Sequence, residues 1–273
     1  MNQKTIVLTG ASDGIGAAAA RQLAADGHRL VLIGRSPTKL AAVTDEVGAE
    51  SIVADFADLA QVRHVADEVL RLCPTIDVLA NNAGLISSLQ RVETVDGHEL
   101  TNQVNYLSTF VLNHLLAERL IASRATVIMT SSMAHWGGRI DLDDMDHEAS
   151  YTSSAAYSDS KLALLLHTRQ LQRNFGRQGI SAVAFHPGVV ASNFSVDNGG
   201  LMGKFYSWPT KSIMMTPEKG ADSLVFLAEA TPGVDFRPGG YVVRRRAAAT
   251  RACVNDVHLG EALWADTERV LGL

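Results

Sequence analysis

A chain of 273 residues, 47% of them hydrophobic, can bury a sizeable core in one or two domains. Its net charge of -5 gives no electrostatic reason to expect a nucleic-acid partner, and its two cysteines, Cys73 and Cys253, offer no disulfide framework and are read as reduced thiols. No apolar stretch is long enough to span a membrane, and the first predicted strand runs straight into a glycine turn without room for a signal peptide, so a cytoplasmic protein with no membrane association is expected.

That first strand spans residues 4–9, where Lys4-Thr5-Ile6-Val7-Leu8 suits a buried parallel strand. The turn Thr9-Gly10-Ala11-Ser12-Asp13-Gly14-Ile15-Gly16 follows, and Ala17 to Ala25 reads as an alanine-rich helix. Strand, glycine turn and helix in this order form a dinucleotide-binding arrangement. Gly10 permits the tight turn, Gly14 lets backbone approach a pyrophosphate, Gly16 allows close packing, and the helix N-terminus faces the anion. Ser12, Asp13 and Ile15 are thereby placed at the cofactor too. The spacing G-x-x-x-G-x-G departs from the commoner G-x-G-x-x-G.

Further apolar runs predict strands over 29–33, 51–54, 76–80, 125–130, 180–185 and 240–243, with helices between most of them. They continue without a linker, so residues 1–273 are expected to form a single doubly wound (Rossmann) α/β domain with a seven-stranded parallel sheet flanked by helices. Ligands bind such a sheet at the carboxyl ends of its strands, which carry Gly10, Gly34, Asp55, Asn81, Ser132 and Pro187.

Tyr157 and Lys161 lie in Tyr157-Ser158-Asp159-Ser160-Lys161, one helical turn apart on a common face. The ammonium of Lys161 can therefore favour ionisation of the Tyr157 phenol, turning a group with a pKa of about 10 into a usable acid or base near neutrality. Joined with the glycine turn, the pair points to a nicotinamide-dependent oxidoreductase.

Together these motifs resemble the short-chain dehydrogenase/reductase family over nearly the whole chain. The resemblance places Asp55, with Phe56 beside it, against the adenine, and matches Asn81-Asn82-Ala83-Gly84 to a structural segment that lines the cofactor through Asn82, Ala83 and Gly84. It makes Asn105 the active-site asparagine, relaying through water to Lys161, and gives Tyr157 and Lys161 contacts to the cofactor as well. Past Pro187 and Gly188, Val190 and Ser192 match a segment that contacts the nicotinamide carboxamide. Ser131 and Ser132 point to opposite faces if the strand continues. Ser132, 25 residues before Tyr157, is chosen as catalytic because that separation is similar to the retinol-dehydrogenase-like branch, which carries an insert there.

At the end of the second strand stand Gly34, Arg35 and Ser36, with no carboxylate to hold a ribose 2′-hydroxyl. The fork of Arg35 suits a 2′-phosphate, with Ser36 or Lys39 assisting, so NADP(H) is expected in preference to NAD(H), although Asp13 stands where many NADP-preferring relatives are basic. The acidic run Asp141, Asp143, Asp144, Asp146 lacks the glycine and glutamate of a calcium loop and is read as a solvated loop. His135, His147 and His186 are read as surface or loop histidines, and no metal site is expected. Residues 193–216, rich in Phe, Met and Trp between glycines, suit an apolar substrate lid, which points to an apolar or aromatic carbonyl or alcohol. Residues 244–273 form a C-terminal extension whose helix packs on the body or on a second subunit, which leaves room for a homo-oligomer. Two other functions stay open: a non-catalytic NADP(H)-sensing regulator of the same fold, and a sugar-nucleotide epimerase or dehydratase.

Overall fold

The computed structural model describes residues 2–188 and 215–273. Parallel strands form on the aliphatic runs: β1 Thr5–Thr9, β2 Arg29–Gly34, β3 Glu50–Val53, β4 Val78–Asn81, β5 Thr126–Thr130, β6 Ser181–His186 and β7 Gly240–Val243. An eighth strand, β8 Arg246–Ala247, pairs antiparallel with β7. The sheet thus has one strand more than the seven read from the sequence. A two-residue strand carries no alternation, and the turn before it, Arg244-Arg245, is left-handed (φ 50 and 60) without the glycine or asparagine that usually announces such a turn.

The strand order β3-β2-β1-β4-β5-β6-β7-β8 reverses direction between β1 and β4, which opens a crevice at their carboxyl ends. Both faces of the sheet are covered. Ile6 and Leu8 of β1 pack into one cluster and Val7 into the other, as strand alternation requires, and this double burial is why the strands read as unbroken apolar runs.

The helices are α1 Gly14–Ala25, α2 Pro37–Val47, α3 Leu59–Leu72, α4 Ser108–Leu115, α5 Ala117–Ala122, α6 Ser153–Phe175, α7 Pro217–Glu229 and α8 Val257–Leu271. Asp13, Ser36, Asp58, Thr152, Thr216 and Asp256 cap their helices by accepting from first-turn N–H groups, and Pro37 and Pro217 open theirs. The C-terminal helix docks through Trp264, whose ring centroid lies 4.7 Å from that of Phe110 and 5.3 Å from that of His167. Val257 and Val270, which the helical spacing groups with Leu263 and Trp264, remain exposed.

Candidate active site

The cofactor side of the crevice is built from backbone. Gly10 has φ +66, and a Cβ on it would come within 2.8 Å of Ala83 Cα, while a Cβ on Gly16 would collide with the Gly10 carbonyl. Thr9 Oγ1 accepts from the N–H groups of both Asn82 and Ala83 at 2.9 Å. Asn82 Nδ2 donates to Thr9 O at 3.1 Å, and Asn82 Oδ1 accepts from Thr130 Oγ1 at 3.3 Å. Asn82 therefore stitches β1, β4 and β5 together and keeps the glycine turn open beside them. Asn81 points away, donating to buried Asn113 Oδ1 at 2.9 Å. Thr9 and Thr130 are structural members of the site missing from the sequence-based set; each is a hydroxyl residue ending a strand next to a chosen position.

At the N-terminus of α1, Asp13 Oδ1 accepts from Gly14 N at 2.7 Å and Oδ2 pairs with Lys39 Nζ at 2.6 Å. Ser12 packs against the end of β2, since a Cβ on Gly34 would lie 3.0 Å from its Oγ. Ile15 is half-buried in the first turn. Lys39 is thus engaged by Asp13, and Ser36 is engaged as the cap of α2. Arg35 is exposed and makes no ion pair among the described residues. Asp55 Oδ1 accepts from Ala57 N at 3.0 Å, and the Phe56 ring is buried in the core with its carbonyl taking the Ser108 hydroxyl at 2.7 Å. Any cofactor contact at Phe56 falls to backbone rather than ring. A bare glycine cradle, a helix N-terminus and an unpaired cation at the end of β2 fit a nicotinamide dinucleotide.

The Thr152 cap starts α6 so that Tyr157 falls in its second turn and Lys161 one turn later. Lys161 is buried. Its Nζ donates to Thr130 O at 3.0 Å and lies 5.5 Å from the centroid of the Tyr157 ring, and burial pulls its pKa down to about 7. Asn105 sits in a π turn, Gln103–Leu107, immediately before α4. Asn105 Nδ2 donates to Leu85 O at 3.0 Å and to Ser160 Oγ at 2.9 Å, and Oδ1 accepts from Leu85 N at 2.8 Å. The amide thus braces the chain after Gly84 against α6. Gly84 fits between the two polar groups, since a Cβ there would come 3.1 Å from Asn105 Oδ1 and 3.3 Å from Lys161 Nζ.

The adjacent serines separate as strand alternation requires. Ser131 Oγ donates to Lys161 O at 2.9 Å and is buried. Ser132 leaves the sheet half-buried, and its Oγ accepts from Ala134 N at 3.2 Å, which keeps its own O–H available as a donor. Pro187 and Gly188, the latter at φ +93, follow β6 on the same edge. Val190 and Ser192 lie outside the described residues, as does the expected lid except for Met215 and Thr216.

The segment between Ser132 and Tyr157 differs from its sequence reading. Asp146 is no solvated acid: its carboxylate accepts from His98 Nδ1 at 2.8 Å, Asn102 Nδ2 at 2.9 Å and Glu99 N at 3.0 Å. Asp144 accepts from Glu148 N at 2.6 Å, closing the loop on itself. His147 pairs with Asp159 at 3.3 Å, and the same Asp159 accepts from Arg139 N at 2.6 Å. His135 is fully buried rather than superficial, and burial pushes the half-buried His186 down to about 4. Spacing alone concealed the roles of Asp146 and His147 because His98, Asn102 and Asp159 come from other parts of the chain.

Residues 4–199 match the family model described as short chain dehydrogenase. The chain belongs to the short-chain dehydrogenase family. It is an oxidoreductase acting on CH–OH or C=O groups with a nicotinamide cofactor, and its similarities run to the retinol-dehydrogenase-like members. A candidate daunorubicin C-13 ketoreductase of Streptomyces sp. (strain C5) is 37% identical over 276 residues, covering 98% of this chain and 93% of that protein. Human retinol dehydrogenase 13 is 32% identical over 286 residues, covering 99% and 85%. A solved structure from Beutenbergia cavernae, described as a candidate NAD(P)-dependent gluconate 5-dehydrogenase with NADP bound at low occupancy, superposes with a TM-score of 0.69 at 26% identity, covering 88% of this chain and 94% of that one.

Proposed function

We propose that this dehydrogenase interconverts an apolar or aromatic ketone or aldehyde and its alcohol, uses NADP(H) in preference to NAD(H), and employs Tyr157 as acid and base. The observation that carries the reading is the convergence on one sheet edge of Tyr157, the buried Lys161 with its Nζ 5.5 Å from the phenol ring, and a Ser132 hydroxyl able to donate. The bound cofactor supplies or takes the hydride. Ser132 donates to the substrate oxygen, Tyr157 delivers a proton to that oxygen in reduction and removes it in oxidation, and Lys161 favours the ionised phenol while holding the nicotinamide ribose. Asn105 braces the segment that carries Gly84 against α6, and through it the surroundings of Lys161.

Arg35 supports the cofactor preference, since it is the cation at the end of β2 that Asp13 has not taken. The exposed Met133 and Trp136, directly after Ser132, support an apolar substrate. So do the names of the two relatives, a candidate daunorubicin C-13 ketoreductase and a retinol dehydrogenase. One domain spanning 1–273 goes with this reading. The cytoplasmic location expected from the sequence goes with this reading.

The complete Asn105, Ser132, Tyr157, Lys161 set argues against a pure NADP(H) sensor, which needs no proton donor. NADPH oxidation with acetophenone, all-trans-retinal and 9,10-phenanthrenequinone tests the proposal. Turnover of at least one carbonyl, faster with NADPH than NADH, is expected. Tight NADPH binding with no turnover of any would favour the sensor instead.

A further inference from the structure

Behind Ser132 the chain turns through a 3-10 helix, Met133–Gly137. Its far end is fixed to α6, because Gly138 packs so closely on Ser158 that a Cβ would come 2.9 Å from Leu162 Cβ, and Arg251 Nη1 donates to the Gly138 carbonyl. Its near end is fixed by His135, through backbone and ring together. The Ser132 carbonyl accepts from His135 N at 3.2 Å and from His135 Nδ1 at 2.6 Å.

Since a carbonyl only accepts, Nδ1 carries the proton in this bond. Burial, aided by the charge of Arg251, lowers the pKa of the ring and holds it neutral, so Nε2 is a bare lone pair. Among the described residues that nitrogen is buried without a hydrogen-bond partner, as is the hydroxyl of Tyr241, whose ring meets His135 edge-on with centroids 5.2 Å apart. Burying an imidazole while satisfying one of its two nitrogens is costly, and an apolar ring would pack in the same place without that cost. Among the described residues the one hydrogen bond the ring makes is to the Ser132 carbonyl.

We infer that His135 is a positioning residue for the reaction: its Nδ1–H fixes the Ser132 carbonyl, and through that peptide the direction in which the Ser132 hydroxyl donates to substrate. The chain of effect is short. Holding the 132–133 peptide sets where Ala134 N lies, and Ala134 N in turn is the group that orients Ser132 Oγ, at 3.2 Å. Without Nδ1–H the carbonyl is held by His135 N alone, at 3.2 Å, and the loosened peptide lets the hydroxyl turn away from the substrate oxygen; misplacement of such a group by about 1 Å can cost about 100-fold in rate. The inference rests on Ser132 being the substrate's hydrogen-bond donor, as proposed above.

Four variants, His135→Phe, His135→Asn, His135→Gln and Ser132→Ala, and the double variant Ser132→Ala/His135→Phe, decide it on the most active carbonyl of the panel. His135→Phe keeps the ring and removes the donor. It is expected to lower kcat about 10- to 100-fold while leaving the Kd for NADPH and the Tm near wild type. His135→Asn places an amide N–H where Nδ1 was and should recover most of kcat; His135→Gln, whose amide reaches the Nε2 position, should not. In the Ser132→Ala background, His135→Phe should cause no further loss.

Wild-type kcat in His135→Phe beside an impaired Ser132→Ala would overturn the inference and leave the role of Ser132 intact. Equal kcat for His135→Asn and His135→Gln, or a further loss in the double variant, would also overturn it, reducing His135 to a packing residue. Full activity of Ser132→Ala would instead overturn the assignment of Ser132 itself, and the inference with it.

Discussion

The two halves of the sheet edge are made of different material. Around β1, β2 and β4 the site is mostly backbone: Gly10 and Gly16 in mutual contact, Asn82 and Thr9 tying strand ends, and the N-terminus of α1 capped by Asp13 alone among its side chains. Around β5, β6 and β7 it is buried side chains: Lys161 on Thr130 O, Ser131 on Lys161 O and His135 on Ser132 O, with buried polar atoms on His135, His186 and Tyr241 that have no partner among the described residues. A pyrophosphate can be recognised by main-chain N–H groups that any sequence of the right glycines supplies. A carbonyl that must be polarised and protonated needs particular side chains at fixed positions, and the fold must hold them against their preference for water.

Breaking each half should therefore fail differently. On the catalytic side, Lys161→Met is expected to lower turnover by about 100-fold or more, since that ammonium is assigned both the phenol and the ribose. Its effect on stability should run the other way. With Lys161 pulled to about 7 from 10.5, the unfolded chain holds a proton that the folded chain has released between those values. Stability thus rises with pH across that window, and below it the protonated lysine destabilises the fold. The variant should melt a few degrees higher than wild type at pH 6 to 7, a gap that closes toward pH 10, as thermal melts across pH would show.

On the backbone side, Gly16→Ala should damage cofactor binding and folding together. Its Cβ would meet the Gly10 carbonyl and come 2.9 Å from Asn82 Nδ2, so the turn must shift. A loss of about 1–3 kcal/mol in stability and a comparable weakening of NADPH are expected from denaturant melts and fluorescence titration. Arg35→Asp should act more narrowly. Loss of one charge-assisted hydrogen bond, about 1.5–3 kcal/mol, weakens NADPH at least about tenfold, while NADH is held or improved. An unchanged cofactor preference in paired titrations would mean that Arg35 does not read the 2′-phosphate.

The smallest effect is expected at the insert. The bond to Asp146 raises the pKa of His98; burial pushes Asp146 upward, but the bonds from His98, Asn102 and Glu99 N more than offset it and hold its carboxyl low. The contribution of His98 is present below 6.5 and fades as pH rises through its raised value, whereas that of Asp146 is present above 3.8 and fades as pH falls through its lowered one. The clamp is then strongest between roughly pH 4 and 6.5, and His98→Ala should lower the Tm by about 2–4 °C near pH 5.5 and by less at pH 8.

The same contrast explains what could be read in advance. The glycine turn and the Tyr157 and Lys161 pair are local patterns, so spacing exposed them along with the parallel sheet, while Asn81-Asn82-Ala83-Gly84 was picked out by its resemblance to the family. Strand alternation said only that Ser131 and Ser132 part ways, and the choice of Ser132 came from its 25-residue separation from Tyr157, which resembles the retinol-dehydrogenase-like branch. Asp146 was misread as a solvated acid because its partner His98 lies 48 residues away, and His135 as a surface or loop histidine because its burial comes from packing on elements such as Tyr241 that its spacing does not show. The turn Arg244-Arg245 escaped because its left-handed backbone is adopted by residues that seldom adopt it.

The most direct test of the central claim is one preparation of Tyr157→Phe carried through two readings, an NADPH titration and steady-state turnover on the best carbonyl. The substitution removes the proton donor and keeps the ring beside Lys161. NADPH should bind within about twofold of wild type while kcat falls by at least about 1000-fold, near the upper end for a lost general acid. Wild-type turnover in a folded, NADPH-binding Tyr157→Phe protein would contradict the account.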